Sequence, residues 1–355
     1  MLKSFRYLLL PFSFLYATII RFRNWLYDKN IIKSAQFNFP IICVGNIAVG
    51  GTGKSPMTEY LVRMLKQDYI TATLSRGYKR KTKGFTIANE NTTAIDIGDE
   101  PMQFHQKFPD ITVAVGEERL VAIPQILHAK PETEVIILDD AFQHRQVRAG
   151  LNILLTQYND LYINDFILPA GDLRDVKSSA KRAQIIIVTK CPATLDQSEK
   201  EKIIKELKPL SYQQVYFAEI IYAKPRHLFN NVEEEISSNS DVLVICGIAN
   251  PAPLKQFLSS HFHSYDMISF PDHHIFRSDD LKDIKYQFDK IISTDKYIIT
   301  TEKDGTRLEK YKNELENYPV FVLPISHRIM FNEDLKFEKE IKKFIEENRN
   351  KITSQ

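Results

Sequence analysis

Apolar and polar positions along the chain fall into three successive patterns. From Tyr7 to Ile20 the residues are uncharged and strongly apolar, with Lys3 and Arg6 before them and Arg21 and Arg23 after. Short apolar, β-prone runs then alternate with amphipathic helical stretches. PIICV (Pro40–Val44) precedes MTEYLVRMLKQ, and TATLS, ITVAV, EVIIL, LNILL and QIIIV follow, separated by segments such as ERLVAIPQILHAK. This alternation predicts an α/β fold built on a parallel sheet covered on both faces. Further along, VYFAEIIY (Val215–Tyr222) and VFVLPISH (Val320–His327) each partly alternate and are expected to pair as a two-stranded connection between lobes. DVLVICGI and KYIITTEKD read as buried strands of a second, smaller α/β lobe, and NEDLKFEKEIKKFIEEN as its amphipathic closing helix. The expected organisation is an N-terminal helix in residues 1–30, a first lobe over 31–214 and a second over 215–355.

The turn after PIICV carries the first chemical signal. VGNIAVGGTGKSP, Val44–Pro56, sets Gly50, Gly51 and Gly53 just before Lys54-Ser55, between a predicted strand and a predicted helix. Glycines let the backbone curl its N–H groups around phosphate oxygens, and the helix N-terminus adds partial positive charge. The pattern matches a nucleotide-binding P-loop except that Ala48 stands where the first glycine belongs. Residues Ala48, Val49, Gly50, Gly51, Thr52, Gly53, Lys54 and Ser55 are therefore the expected ATP-binding loop, with Lys54 on the β- and γ-phosphates and Ser55 on Mg²⁺. EVIILDDAFQH ends an apolar strand in Asp139-Asp140, at the sheet edge where a P-loop opens; either carboxylate would hold Mg²⁺ directly or through water.

Composition narrows the classes. A chain of 355 residues is long enough for two lobes, and a net charge of +2 gives no global reason to expect nucleic acid. Cys43, Cys191 and Cys246 are odd in number, lack zinc or disulfide spacing and lie in or beside apolar runs, so they read as reduced packing residues. The N-terminal apolar stretch is too short to span a bilayer comfortably and lacks a small-x-small cleavage site. It reads as an interfacial helix, with arginines toward anionic headgroups, and the competing reading is a helix packed on the protein's own core. Guanine recognition is disfavoured because QIIIVTKCP carries Pro192 where an Asp is needed. Val49, where membrane-cycling ATPases place a Lys, disfavours that class.

Taken together, GN-x-x-VGGTGK-[ST]-P at Gly45–Pro56, SRGY at Ser75–Tyr78, GDEP at Gly98–Pro101 and DD-x-FQH at Asp139–His144 resemble the tetraacyldisaccharide 4'-kinases of lipid A biosynthesis. The likeness continues in LPAG-x-LR at Leu168–Arg174, GIANP at Gly247–Pro251, FPDHH-x-F at Phe270–Phe276 and TTEKD at Thr300–Asp304. Asp175 departs from the family pattern, where Glu is usual, as does Ala249, where Gly is common. The resemblance implies a P-loop NTPase-like fold with an N-terminal membrane-associated helix, and transfer of the γ-phosphate of ATP to the 4'-hydroxyl of a tetraacylated glucosamine disaccharide 1-phosphate. It also implies action at the cytosolic face of the inner membrane on a lipid substrate; no nucleic acid is expected from the charge balance, and no obligate protein partner is evident in the sequence. By the same resemblance Asp99 and His273 form an acid/base pair, and Arg76, Tyr78, Arg119, Gln143, His144 and Arg174 meet the acceptor. The basic run SRGYKRKTKG offers Arg76, Lys79, Arg80, Lys81 and Lys83 to a sugar phosphate or to headgroups. His274 reads as structural, and the further Asp and His ligands that a PDHH metal phosphoesterase needs are not apparent. The competing classes are a membrane-bound P-loop ATPase switch and a cytosolic P-loop small-molecule kinase.

Overall fold

The computed structural model describes residues 6–272 and 274–353. Its first lobe is built from helix α1 (Leu10–Asp28), strand β1 (Ile41–Asn46), helix α2 (Lys54–Leu65), strands β2 (Thr71–Ser75) and β3 (Thr86–Ile87), and helix α3 (Asp99–Lys107). Strand β4 (Thr112–Val115), helix α4 (Arg119–Ala129), and strands β5 (Val135–Asp139), β6 (Leu151–Gln157), β7 (Ile185–Thr189) and β8 (Gln214–Tyr222) follow. The second lobe holds strands β9 (Arg226–His227), β10 (Asp241–Cys246), β11 (Tyr265–Ser269) and β12 (Lys296–Thr301), helix α5 (Glu302–Leu308) and strand β13 (Val320–Leu323). The chain then returns through strand β14 (Ile325–Ile329) and helix α6 (Asp334–Thr353).

The first sheet has nine strands in the order β14-β8-β7-β6-β1-β5-β2-β4-β3, parallel except at its two ends. Every residue of β1, β2, β5 and β7 is buried, because helices cover both faces and no side of the strand meets water. The period of two sorts β1 between two cores. Ile41 and Cys43 join Leu74, Ile136, Leu138 and helix α4 on one face; Ile42 and Val44 join Ile137, Ile153 and helix α2 on the other. All three cysteines are free and buried, and burial pushes the Cys43 and Cys191 thiols up to about 12, which fits packing residues. The second sheet runs β9-β13-β12-β10-β11, parallel but for β9.

The sequence-based division at residue 215 is redrawn by the return segment. Val215–Tyr222 does find an antiparallel partner, with Ala218 opposite Ile329 and Tyr222 opposite Ile325, but the pair closes one edge of the nine-stranded sheet. Val320–Leu323 belongs instead to the second sheet, and the chain changes lobe at Pro324, whose carbonyl accepts from Ala223 N at 2.9 Å. Helix α6 likewise packs on the first lobe. Phe337, Ile341 and Ile345 recur every four residues and fill the face beside Met57, Leu61 and Ile153.

The N-terminal helix is docked through its polar side. Its buried residues are Ser13, Ala17, Asn24 and Tyr27; Ser13 Oγ accepts from Ala170 N at 2.9 Å, and Arg23 donates to the Gln143 carbonyl at 3.0 Å. Leu8, Phe12, Phe14, Leu15, Ile19 and Phe22 remain 58–72% exposed on the outward side. Among the described residues no helix is long and apolar enough to cross a membrane. The helix thus packs on the protein while its apolar face stays outward, an arrangement that neither sequence-based reading anticipated in full.

Asp175, which stands where the family usually has Glu, anchors this dock. Its buried carboxylate accepts from Asn24 Nδ2 at 3.0 Å, Ser179 Oγ at 2.7 Å and Val176 N at 2.8 Å, and pairs with Arg182 at 3.1 Å. Removing it takes the counter-charge from the Arg182 guanidinium and one of two acceptors from the Asn24 amide. Asp175→Ala is expected to cost about 3–5 kcal/mol in denaturant unfolding. A loss below about 1 kcal/mol would mean that the dock does not depend on this carboxylate.

Candidate active site

The loop between β1 and α2 opens at the C-terminal edge of the sheet. Gly50 and Gly53 take φ of +98° and +86°, backbone that side chains resist, and Gly53 caps α2. A Cβ on Gly50 or Gly51 would meet nothing within 4 Å, so this stretch of backbone has open space beside it. At Gly53 the reverse holds: a Cβ would come within 2.7 Å of His327 Nε2. The loop is braced from three sides. Asn46 Nδ2 donates to Thr52 Oγ1 at 2.8 Å, Thr189 Oγ1 donates to the Thr52 carbonyl at 2.8 Å, and His327 Nε2 bonds the Gly53 carbonyl at 3.0 Å. Burial pushes the His327 imidazole down to about 4, so it is neutral and its Nε2–H donates.

Charge concentrates beside the loop. Lys54 Nζ lies 3.7 Å from Asp140 Oδ2, and burial holds its ammonium below the usual lysine range. Arg174 pairs with Asp140 and donates to Asn46 Oδ1 at 2.6 Å, so it sits against the P-loop strand. Together Lys54 and Arg174 keep Asp140 ionised, below the usual carboxylate range despite its burial. Asp139 differs: its carboxylate accepts from the hydroxyls of Thr58 at 3.2 Å and Ser75 at 3.3 Å, and burial beside Asp140 pushes it up to about 6. Two adjacent carboxylates, one neutralised by cations and one held only by hydroxyls, leave the second as a ready ligand for a divalent ion. Among the described residues no group of three or more His, Cys, Asp or Glu side chains could hold a metal by itself. Magnesium does not need one, since phosphate oxygens and water complete its shell.

A second cationic group flanks the carboxylates. Arg119 starts helix α4 and is 2% exposed; it donates to the Gly116 carbonyl, yet its Nε and one terminal nitrogen have no partner. Such a buried guanidinium is costly unless an anion meets it. Burial pushes it down to about 10, and burial together with the charges of Arg119 and Arg76 pushes His144 down to about 4. Gln143 Nε2 donates to the Asn46 carbonyl at 2.5 Å, while Arg76 and Tyr78 are exposed. Of the basic run, Lys79, Lys81 and Lys83 face solvent, but Arg80 does not. Its side chain is 1% exposed and paired with Glu117 at 2.7 Å, because Gly77 leaves it room to fold inward.

The acid/base pair is seen from one side only, since His273 lies outside the described residues. Asp99 begins α3 and meets Arg307 of the second lobe, with Oδ2 accepting from Nε at 3.0 Å and from a terminal nitrogen at 2.7 Å. Sequence reasoning missed Arg307, although it stands three residues after Asp304 of TTEKD, a spacing that puts both on one helical face. It also missed His327, for which no local signal exists, because only the return of the chain brings that residue under the P-loop.

Comparison with known proteins agrees with this architecture. The family model of the tetraacyldisaccharide-1-P 4'-kinases matches residues 5–346. The chain is 43% identical to a tetraacyldisaccharide 4'-kinase of Bacteroides thetaiotaomicron, over 96% of this chain and 93% of that protein. It is 45% identical to that of Flavobacterium johnsoniae, over 97% and 98%. Among solved structures it is similar to the LpxK of Aquifex aeolicus crystallised with ATP, with a TM-score of 0.76 and 30% identity over 97% of this chain and 100% of that one.

The buried imidazole under the loop has a consequence for acid stability. The native state does not protonate His327 until about pH 4, whereas the unfolded chain takes that proton near the ordinary imidazole value. Its contribution is present above about pH 6.5 and is lost as pH falls toward 4, by on the order of 3 kcal/mol. His327→Gln, which cannot titrate, is expected to flatten the stability–pH curve over that window; an unchanged slope would contradict the buried, neutral assignment.

Proposed function

The chain belongs to the tetraacyldisaccharide-1-P 4'-kinase family, and from that premise we propose how its residues divide the transfer of the γ-phosphate of ATP to the 4'-hydroxyl of a tetraacylated glucosamine disaccharide 1-phosphate. The observation that carries the reading is the open glycine loop facing Lys54, with Asp139 and Asp140 at the adjoining strand end. The loop from Ala48 through Ser55 cradles the triphosphate with backbone N–H groups, and Lys54 leaves Asp140 for the β,γ oxygens, where negative charge gathers in the transition state. Ser55, Asp139 and Asp140 are the groups that would hold Mg²⁺; when bound, the ion neutralises phosphate charge.

Arg119, supported by Arg76 and His144, is the anion site for the acceptor. Its two unpartnered nitrogens and their buried setting support this assignment. Gln143 and Arg174 orient the floor beneath the acceptor through Asn46, and Tyr78 is exposed at the rim. Asp99, with His273, receives or steers the proton that the sugar hydroxyl gives up, since an alcohol is a weak nucleophile until that proton leaves. Closing the second lobe over the first excludes the water that would compete for the phosphoryl group.

The outward apolar side of α1 supports peripheral association with the bilayer that holds the acyl chains, on the cytosolic face of the inner membrane where ATP is supplied. No nucleic acid and no obligate protein partner enter this reading.

Purified protein with labelled ATP and the disaccharide 1-phosphate in detergent is expected to give a lipid product one phosphate heavier, and Lys54→Ala in folded protein to reduce its formation by at least about 10³-fold. Near-normal turnover in that variant would contradict the P-loop assignment. Replacing Phe12, Phe14, Leu15 and Ile19 together by Ser is expected to release the protein from anionic vesicles and raise the KM for vesicle-borne lipid, with the KM for ATP unchanged. Unaltered vesicle binding would show that the outward face of α1 does not meet the membrane.

A further inference from the structure

Two sequence motifs, GIANP and TTEKD, have no part in the division of labour above, yet they meet at one buried point. Asp304 is fully buried, and its Oδ2 accepts from Gly247 N at 2.8 Å and from Thr301 Oγ1 at 2.7 Å. A Cβ at Gly247 would come within 2.9 Å of Asp304 Oδ1, so the glycine is what lets this backbone N–H approach. With one oxygen so occupied, Asp304 presents Oδ1 to a terminal nitrogen of Arg307 at 3.1 Å. The guanidinium is therefore gripped from behind, and its Nε and other terminal nitrogen both point to Asp99 Oδ2, at 3.0 and 2.7 Å, across the gap between lobes.

We propose that Arg307 is a positioning residue for the phosphotransfer: the second lobe uses the Gly247–Asp304–Arg307 chain to fix the direction and the charge of the Asp99 carboxylate. The inference rests on the reading of Asp99 as one member of the acid/base pair. Two observations separate this contact from an ordinary strut between lobes. Struts already exist beside it, in Lys303–Glu100 at 2.6 Å and in Lys107, which bridges Glu59 to Glu302. Arg307 alone of these cations lands on the acid/base candidate, and the side chain is less than one-tenth exposed, so solvent does little to weaken its effect on that carboxylate. The two bonds it makes to Asp99 both fall on Oδ2, which sets the direction of the carboxylate.

The consequence is mechanical as well as electrostatic. Asp99 belongs to the P-loop lobe and Arg307 to the second lobe, so the carboxylate is aligned only when the lobes sit together. Whether Asp99 takes the hydroxyl proton itself or stabilises a protonated imidazole, it must be ionised, and an adjacent guanidinium favours that form. Among the described residues, the charged groups near it include Arg307 and Asp304 from α5, Lys303 from the same helix, and Glu100 next in sequence.

The test is a double-mutant cycle in the full chain, with turnover measured at saturating ATP and lipid. Arg307→Met is expected to lower kcat about 10²-fold while leaving the KM for ATP within twofold, and Arg307→Lys to restore part of the loss. In an Asp99→Asn background, Arg307→Met is expected to have no further effect on kcat, because the proposed contribution of Arg307 to turnover passes through that carboxylate. Asp304→Asn, which loosens the grip from behind, is expected to fall between wild type and Arg307→Met. If Asp99→Asn turns over normally, the acid/base reading fails. If Asp99→Asn is impaired but Arg307→Met is not, the acid/base reading stands and this inference fails. Equal losses from Arg307→Met in both backgrounds would make the residue a structural strut and would also overturn it.

Discussion

The antiparallel seam between Gln214–Tyr222 and Ile325–Ile329 is the constraint on which the site depends. The chain leaves the first lobe at the end of one strand and returns at the start of the other, and the Ala223–Pro324 hydrogen bond ties the two crossings together. Two adjacent crossings allow the lobes to approach and separate while keeping them in register, which a single linker would not. The returning strand also brings His327 under the P-loop, where its bond to the Gly53 carbonyl fixes the residue that caps helix Lys54–Leu65. The second lobe and the phosphate cradle thus share one piece of backbone.

The electrostatics of the cleft follow from a shortage of solvent. Lys54 and Arg174 are committed to Asp140, leaving Asp139 with hydroxyl partners and Arg119 with nitrogens that have none. Each imbalance is costly in the protein alone, and each has the sign that a nucleotide, its divalent ion and an anionic acceptor would relieve. The N-terminal helix shows a related inversion. Its polar stripe of Ser13, Asn24 and Tyr27 is spent on docking, with Asp175 as the anchor, so the apolar side stays outward. A helix that docked through its leucines and phenylalanines would have no such face to offer.

Local rules made much of this legible in sequence. The P-loop could be read because left-handed backbone at Gly50 and Gly53 demands glycine, and the central strands because burial on both faces demands unbroken apolar runs. Asp139-Asp140 could be placed because a strand's end is fixed once the strand is found. What escaped were properties of the chain's path. The basic run offers Arg80 to a phosphate or headgroup, yet the fold buries it against Glu117, and the helix after Asp334 covers the first lobe rather than the one it follows. Arg307 and His327 act across the lobe boundary, and no window of sequence contains both partners of either contact.

The central claim is that this cleft delivers the phosphoryl group to a lipid hydroxyl and withholds it from water. The most direct measurement is the ratio of ATP consumed to lipid phosphorylated, in vesicles with and without the disaccharide 1-phosphate. The account predicts a ratio near one when the acceptor is present, and ATP consumption at least about 10²-fold slower on vesicles that lack it. Rapid hydrolysis on acceptor-free vesicles would contradict it and would mark the protein as a membrane-responsive ATPase.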